Sequence, residues 1–146
     1  MATGLIGESP RNQCIRLVDA ATTTNGAPSG ASAGVSLAAI ATTFDLLQKA
    51  IVIVRSTAGS GTMTVTVRLW GYSIVAANWS PLDAGADATK GVINAGSVRG
   101  ETGADEIDHS EPIEGIGPFD RLYAEITAIA GTATAVTVEL LIPRVP

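Results

Sequence analysis

Two stretches of this chain decide its fold: AIVIVRSTAGSGTMTVTVRLWGY at Ala50–Tyr72 and FDRLYAEITAIAGTATAVTVELLIPR at Phe119–Arg144. In each stretch, a run rich in β-branched residues enters a segment of small residues and leaves as an alternating run that contains Val-Thr-Val. Alternation with a period of two is typical of an antiparallel strand with one buried face. Each stretch is therefore predicted to be a β-hairpin, with turns at Ala58–Gly61 and Ala130–Thr132.

The return strands of the predicted hairpins, Met63–Leu69 and Thr134–Ile142, assign side chains to two faces. Because successive side chains of a strand point to opposite sides of a sheet, Val65 and Val138 are predicted to face the core. Thr66 then faces outward, where threonine suits cross-strand pairs. Shorter strands are predicted at Gln13–Asp19, Val35–Ile40, Ser73–Trp79 and Gly91–Asn94.

The spacing of these strands indicates the fold class. Turns between them are short, and Phe44–Ala50, the only segment with a helical look, is short enough to be a bend between strands. We therefore expect an all-β fold, an antiparallel β-sandwich that is jelly-roll-like, with roughly seven to nine strands. The chain of 146 residues suits one such domain, predicted to span residues 13–146.

Two segments are predicted to lie outside the strands. Met1–Asn12 mixes apolar Leu5 and Ile6 with small residues and Pro10, and is predicted to be an N-terminal arm that a partner orders. Ala20–Gly34, with the sequence AATTTNGAPSGASAG, is a low-complexity loop. A structureless loop of this length either packs on a neighbour or is mobile.

Composition indicates a surface that other subunits cover. Charged residues make up 16% of the chain, against an average of about 25% in soluble domains, and the mean hydropathy is +0.32. No apolar run approaches the roughly 20 residues of a membrane helix, and no secretory signal is apparent at the N-terminus. We therefore expect synthesis in a cytoplasm, no membrane partner, and burial against copies of the same chain, with a trimer as the expected assembly.

The charge pattern argues against nucleic-acid binding. The net charge is −5, and the nine basic residues are scattered along the chain. Sequence-independent binding of nucleic acid requires clustered Lys and Arg.

One acidic segment, Glu101–Glu114 (ETGADEIDHSEPIE), is the candidate region for metal or acid–base chemistry. Asp105 and Asp108 are weak candidates for a calcium site, since they could converge from a loop, but the pattern of an EF-hand loop is missing. A carboxylate pair for glycoside hydrolysis is a more remote alternative, because such a pair usually lies in an aromatic-lined groove. The chain has only two residues each of Trp, Tyr and Phe. We expect a solvated or subunit-contact loop, and no cofactor.

No nucleophile is predicted. His109 is the only histidine, has no Ser or Cys in a suitable setting, and is expected to form hydrogen bonds at an interface rim. Cys14 is the only cysteine, so it cannot form an intrachain disulfide, and it is expected to be a small buried or interfacial residue. The chain is therefore not predicted to be an enzyme.

The two tryptophans admit two interpretations. Trp70 and Trp79 could form a platform for a sugar, or they could cap the end of the β core with their ring nitrogens on a partner. The residues predicted to contact other subunits or a capsid are Leu5, Ile6, Trp70, Trp79 and His109.

Three segments resemble small structural proteins of tailed-bacteriophage virions. In these proteins a strand ending in Leu-Trp-Gly precedes a Trp-x-Pro-Leu turn, and a late Gly-Phe-Asp-Arg-Leu/Ile-Tyr strand leads to a Gly-Thr-x-x-Ala-Val-Thr hairpin. The corresponding segments here, which span about the last two-thirds of the chain, are RLWGYSIVAANWSP at Arg68–Pro81, KGVINAGSVRGETG at Lys90–Gly103 and EPIEGIGPFDRLYAEITAIAGTATAVTVEL at Glu111–Leu140. The resemblance implies a β-sandwich subunit on or near a capsid, and carries no catalytic residues over.

The function expected from the sequence is therefore that of a structural virion protein. The resemblance favours a capsid decoration protein that binds the major capsid protein on the outer head shell, or another head or tail subunit. The alternative is a carbohydrate-binding β-sandwich used in host recognition. The small number of aromatic residues favours the structural role over sugar binding.

Overall fold

The structure, a computed structural model, describes residues 3–9, 12–38, 51–82, 92–95, 105–109 and 119–143. These residues form strands and connecting segments, with no helix among them. The strands are β1 (Gly4–Glu8), β2 (Asn12–Ala21), β3 (Val35–Ser36), β4 (Ile51–Ser73), β5 (Asn78–Pro81), β6 (Val92–Ala95), β7 (Asp105–His109) and β8 (Arg121–Pro143).

The two long strands are the framework of the molecule, and they correct the predicted hairpins. Neither stretch folds back on itself, because β4 and β8 are each one strand of 23 residues. They pair with each other in antiparallel fashion, from Ile51 opposite Leu141 to Tyr72 opposite Arg121. The alternating patterns therefore predicted strands correctly, but the pairing partner lies in the other stretch.

The small residues that predicted turns mark a shift of register within this ladder instead. Between the pairs Ala58–Ala133 and Met63–Gly131 the register shifts, so that residues 59–62 of β4 face residue 132 of β8. Glycine within a strand is typical of bulges and bends, where a strand changes direction without reversing. A local run of Ala, Gly, Ser and Thr is compatible with both a bend and a turn, which is why the sequence pattern alone was misleading.

The two long strands contribute to both layers of an antiparallel β-sandwich, the fold class that the sequence predicts. In one layer, the first half of β4 pairs with β7 and the last residues of β8 pair with β2, which in turn pairs with β1. The second half of β4 and first residues of β8 join β3, β5 and β6. Strands that switch layers through bulges or bends are a known means of making the corners of a sandwich.

One core lies between the layers and draws on both ends of the long strands. Val138 is fully buried, as predicted, and Thr66 is half-buried, whereas the side chain of Val65 lies outside the described part. Burial of such apolar side chains is the main stabilising contribution to a fold of this kind. The core residues are Ile15, Leu17, Val35, Leu37, Val52, Val67, Leu69, Leu82, Leu122, Ala124, Ile126, Val136, Val138, Leu140 and Ile142.

The shorter strands agree with the sequence in part. Strands β2, β3 and β6 are confirmed, with β3 shorter in the described residues than predicted. The strand predicted at Ser73–Trp79 is wrong, because residues 74–77 form the turn of a hairpin between β4 and β5. The bend predicted at Phe44–Ala50 lies outside the described residues.

Apolar residues at the tip of this turn account for the error. Ile74 and Val75 resemble strand residues in the sequence, yet they are 67% and 97% exposed. The turn is fixed by polar groups instead: the Ala77 amide donates to the Ser73 carbonyl over 2.8 Å, and the Ile74 amide donates to the Asp120 carboxylate over 2.7 Å. Asp120 is remote in sequence, so no local pattern could reveal this contact.

Candidate interaction surface

The first edge of the sandwich is strand β1, which we call the open edge. Residues 4–8, within the segment predicted to be an N-terminal arm, pair with β2 from Gly4 opposite Arg16 to Glu8 opposite Gln13. Among the described strands, none pairs with the far side of β1. Leu5 and Ile6 are 44% and 37% exposed, so the predicted contact residues lie in solvent on an edge strand.

A bulge shapes the open edge. Leu5 lies opposite Ile15, whereas Gly7 lies opposite Cys14, which leaves Ile6 as the additional residue. Bulges on edge strands twist the backbone and discourage indiscriminate strand pairing. The bulge therefore interrupts the row of backbone donors and acceptors at the open edge, and apolar side chains are exposed there.

The second edge, which we call the closed edge, is the stretch Ala124–Ile126 of β8, opposite the side that pairs with β4. The Asn25 side chain covers it with two hydrogen bonds. Its Nδ2 donates to the Ala124 carbonyl over 3.0 Å, and its Oδ1 accepts from the Ile126 amide over 2.7 Å. The segment between β2 and β3 thus covers this edge with the Asn25 side chain instead of a strand.

Three further side chains hold the loop of residues 22–34 against the sheet. Arg121 donates from Nε to the Ala33 carbonyl over 2.8 Å, and from Nη2 to the Ser32 and Gly34 carbonyls over 3.1 and 2.9 Å. Tyr123 donates from its hydroxyl to the Gly26 carbonyl over 3.0 Å. The low-complexity loop therefore packs on its own sheet, so the packing partner in this structure is the same chain.

Trp79 completes this attachment. Its Nε1 donates to the Gly30 carbonyl over 2.9 Å. Its ring is near two tyrosine rings, with centroid distances of 5.2 Å to Tyr72 and 6.0 Å to Tyr123. Burial, and secondarily the Glu125 carboxylate, raise the pKa of the Tyr123 hydroxyl, which keeps it a neutral donor.

Trp70 is also engaged within the chain. Its Nε1 donates to the Glu125 carboxylate over 2.7 Å, and the Arg68 guanidinium carbon lies 5.7 Å from the centre of the Trp70 rings. This distance is within the range of a cation–π interaction. Both indole N–H groups thus have hydrogen-bond partners inside this chain.

The acidic segment is extended where the structure describes it. Asp105–His109 is strand β7, which pairs with β4 so that Asp105 lies opposite Thr57 and Asp108 opposite Val54. The predicted loop is therefore wrong for these residues, because their backbone takes part in the ladder. No group of three or more metal-ligating side chains occurs among the side chains that the structure describes.

A charged cluster on the outer side of the first layer escaped the sequence interpretation. Glu139 is only 1% exposed, and its carboxylate lies 2.7 Å from Arg55 Nη1 and 3.3 Å from Arg16 Nη2. These residues belong to the neighbouring strands β8, β4 and β2, so the cluster connects the three strands. A buried carboxylate needs such partners because an unpaired charge is costly to bury.

Cys14 lies beside this cluster, and its thiol has low reactivity. Its thiol lies 3.6 Å from the Glu139 carboxylate. Burial in the first place, and the negative charge of Glu139 in the second, raise the pKa of Cys14 to about 11. The thiol is therefore protonated at neutral pH, and the Cys14 side chain is half-buried.

Sequence reasoning missed the two residues that build the closed edge. Asn25 and Arg121 each act on partners far along the chain, with Asn25 separated from Ala124 by 99 positions. The only local signal is the Asn25-Gly26 pair, which is typical of turns. No local pattern identifies which strand an asparagine side chain will pair with.

Comparison with protein-family models, with curated protein sequences and with solved structures finds no match for this chain. Within the described ranges, no helix has the length and apolar character needed to cross a membrane.

Proposed function

We propose that this chain is a structural subunit of a tailed-bacteriophage virion, and specifically a decoration protein that binds the outer surface of the head shell. The observation that supports the proposal most is the arrangement of the segments that carry the resemblance. Trp70 of the first lies opposite Tyr123 of the last, and Gly71 lies opposite Leu122. The shared residues thus form one structural unit.

The roles of these residues are structural. A side chain on Gly71 would collide with the ring of Phe119, so glycine permits this close packing. Arg121 and Tyr123 hold the loop of residues 22–34, and Asp120 fixes the turn after β4. Residues that serve packing rather than chemistry suit a shell-binding module, and the same sandwich would suit other head or tail subunits.

The proposed mechanism is mechanical. A protein that binds the assembled shell more tightly than free shell subunits stabilises the assembly by mass action. If the copies also contact one another, the modest binding energy of each site is multiplied into tight overall binding through avidity. We assign the shell contact to the open edge, because Leu5 and Ile6 are exposed apolar residues on a strand that the sandwich itself holds in place.

The test is co-sedimentation of the purified chain with heads of the encoding phage that lack it. We expect saturable binding by the wild-type chain and a loss of at least tenfold in affinity for the double variant Leu5→Ser, Ile6→Ser, because the buried apolar area at the contact is removed. The matched control is Ile74→Ser, Val75→Ser, which removes two exposed apolar residues at another site and should bind normally.

Two results would contradict the proposal. Absence of wild-type binding to the heads would reject the decoration role, and binding to tails would transfer the chain to another virion component. Equal loss of binding in both double variants would retain the role but remove the open edge as its specific contact.

A further inference from the structure

The closed edge is a gap in the pairing of β8 with β2 and β3. Strand β2 pairs with β8 from Asn12 opposite Pro143 to Ala21 opposite Val136, and β3 resumes the pairing at Val35 opposite Leu122. Between these points the chain leaves the ladder. Asn25 returns to β8 within this gap, so its side chain occupies the position that a strand residue would otherwise take.

The chemistry of the Asn25 amide matches the strand position that it occupies. An extended strand residue offers its neighbour one N–H donor and one carbonyl acceptor, and the side-chain amide of Asn or Gln offers both as well. Asn25 uses both, donating to the Ala124 carbonyl and accepting from the Ile126 amide. In parallel pairing, one residue of the neighbouring strand bonds the carbonyl of one residue and the amide two positions further on in the same way.

We propose that Asn25 is a strand surrogate that prevents a second copy of this chain from pairing with β8 at the closed edge. A strand with unpaired N–H and C=O groups is a template for another chain. The stretch is apolar on its inner side, where Ala124 and Ile126 are buried. Every copy carries the same stretch, so an uncovered edge would meet its equivalent wherever copies are concentrated. The inference does not depend on the proposed function.

The test measures self-association and amide exchange of Asn25→Ala beside the wild-type chain. Light scattering over a micromolar range should show Asn25→Ala growing beyond the mass of the wild-type species as concentration rises. At low concentration, before association, the Ile126 amide should exchange roughly tenfold faster, since its acceptor is lost. The control is Thr24→Ala, which alters the preceding exposed residue of the same loop and should match the wild type in both measurements.

A second variant keeps the test decisive if Asn25→Ala does not fold. Asn25→Asp retains an acceptor for the Ile126 amide but places a carboxylate oxygen against the Ala124 carbonyl. It should keep slow exchange at Ile126 and still associate more than the wild-type chain. The proposal is overturned if the folded variants have the wild-type mass at every concentration, or if Asn25→Ala leaves exchange at Ile126 unchanged.

Discussion

The two edges of the sandwich are completed in opposite ways. At the closed edge, Asn25 supplies the hydrogen bonds of a missing strand and Arg121 fastens the loop that carries it. At the open edge, β1 is bulged and leaves Leu5 and Ile6 in solvent. The closed edge is thus covered by side chains that hydrogen-bond to distant backbone groups, whereas the open edge is a strand held by backbone pairing with β2. Under the proposed function, this difference directs association to β1.

The largest effect should come from a methyl group added where the loop meets β8. Gly34 has a φ of +71°, and a Cβ there would collide with the Leu122 carbonyl. The added methyl group disfavours the left-handed backbone and would displace β8. Gly34→Ala should therefore be less stable by about 3 kcal/mol. Denaturant unfolding measures this loss.

Gly30→Ala separates the two causes. Gly30 also has a positive φ, of +80°, but nothing lies within 4 Å of the added Cβ. Its cost should be limited to the backbone term of roughly 1–2 kcal/mol. Equal losses at both positions would show that the close approach of Gly34 to β8 does not matter.

Cys14 provides a chemical probe of the open edge, because it lies opposite Gly7 of β1. Its pKa of about 11 compares with an ordinary value of 9.0, so the reactive thiolate is scarce at pH 8. Alkylation at pH 8 should be about 100-fold slower than for an unhindered cysteine, and should accelerate as the pH rises towards 11.

Timed reaction with iodoacetamide, followed by mass spectrometry, measures this rate. The denatured chain is the control and should react at the ordinary rate. Fast alkylation of the folded chain at pH 8 would show that β1 and the Glu139 cluster do not enclose Cys14 as described.

Replacing Arg121, which holds the loop at the closed edge, should also lower the stability of the chain. Arg121→Met keeps much of the apolar stem but removes the donors to three carbonyl groups. These groups are partly solvated, so the expected loss is about 1–2 kcal/mol, measured by thermal unfolding. Arg121→Lys should lose less, because the ammonium can still reach part of this carbonyl set. An unchanged melting temperature in Arg121→Met would argue that the loop is held without Arg121.

The smallest effect on stability is expected at the open edge. Leu5→Ser and Ile6→Ser alter exposed side chains, so each should change the free energy of unfolding by about 0.5 kcal/mol or less. Thermal melting of the free chain checks this. A large loss would place these residues among the groups that hold the sandwich together.

Fold class was predictable because alternation along a strand is a local property. Val138 could be assigned to the core from its neighbours, whereas the small-residue segments were wrongly predicted to be turns and lie within the continuous strands β4 and β8. Whether Gly61 or Gly131 lies in a turn or within a strand depends on which strand pairs with which, and that is decided by contacts between the two long stretches.

The candidate surface was predictable only where exposure could be judged from nearby residues. Leu5 and Ile6 were expected at a contact surface, and they are exposed. The pairing of Asn25 with β8, and of Glu139 with Arg16 and Arg55, joins distant segments. Residue type gave no sign of these partners, because each side chain would be equally plausible as a solvated surface residue.

The most direct measurement is a cryo-EM reconstruction of heads decorated with the wild-type chain. It should show β1 against the shell, with Leu5 and Ile6 buried at the contact, and the loop of residues 22–34 still folded over Ala124–Ile126 and facing away from the shell. The account would be contradicted by heads that carry no density for the chain, or by a subunit that contacts the shell through the loop and leaves β1 in solvent.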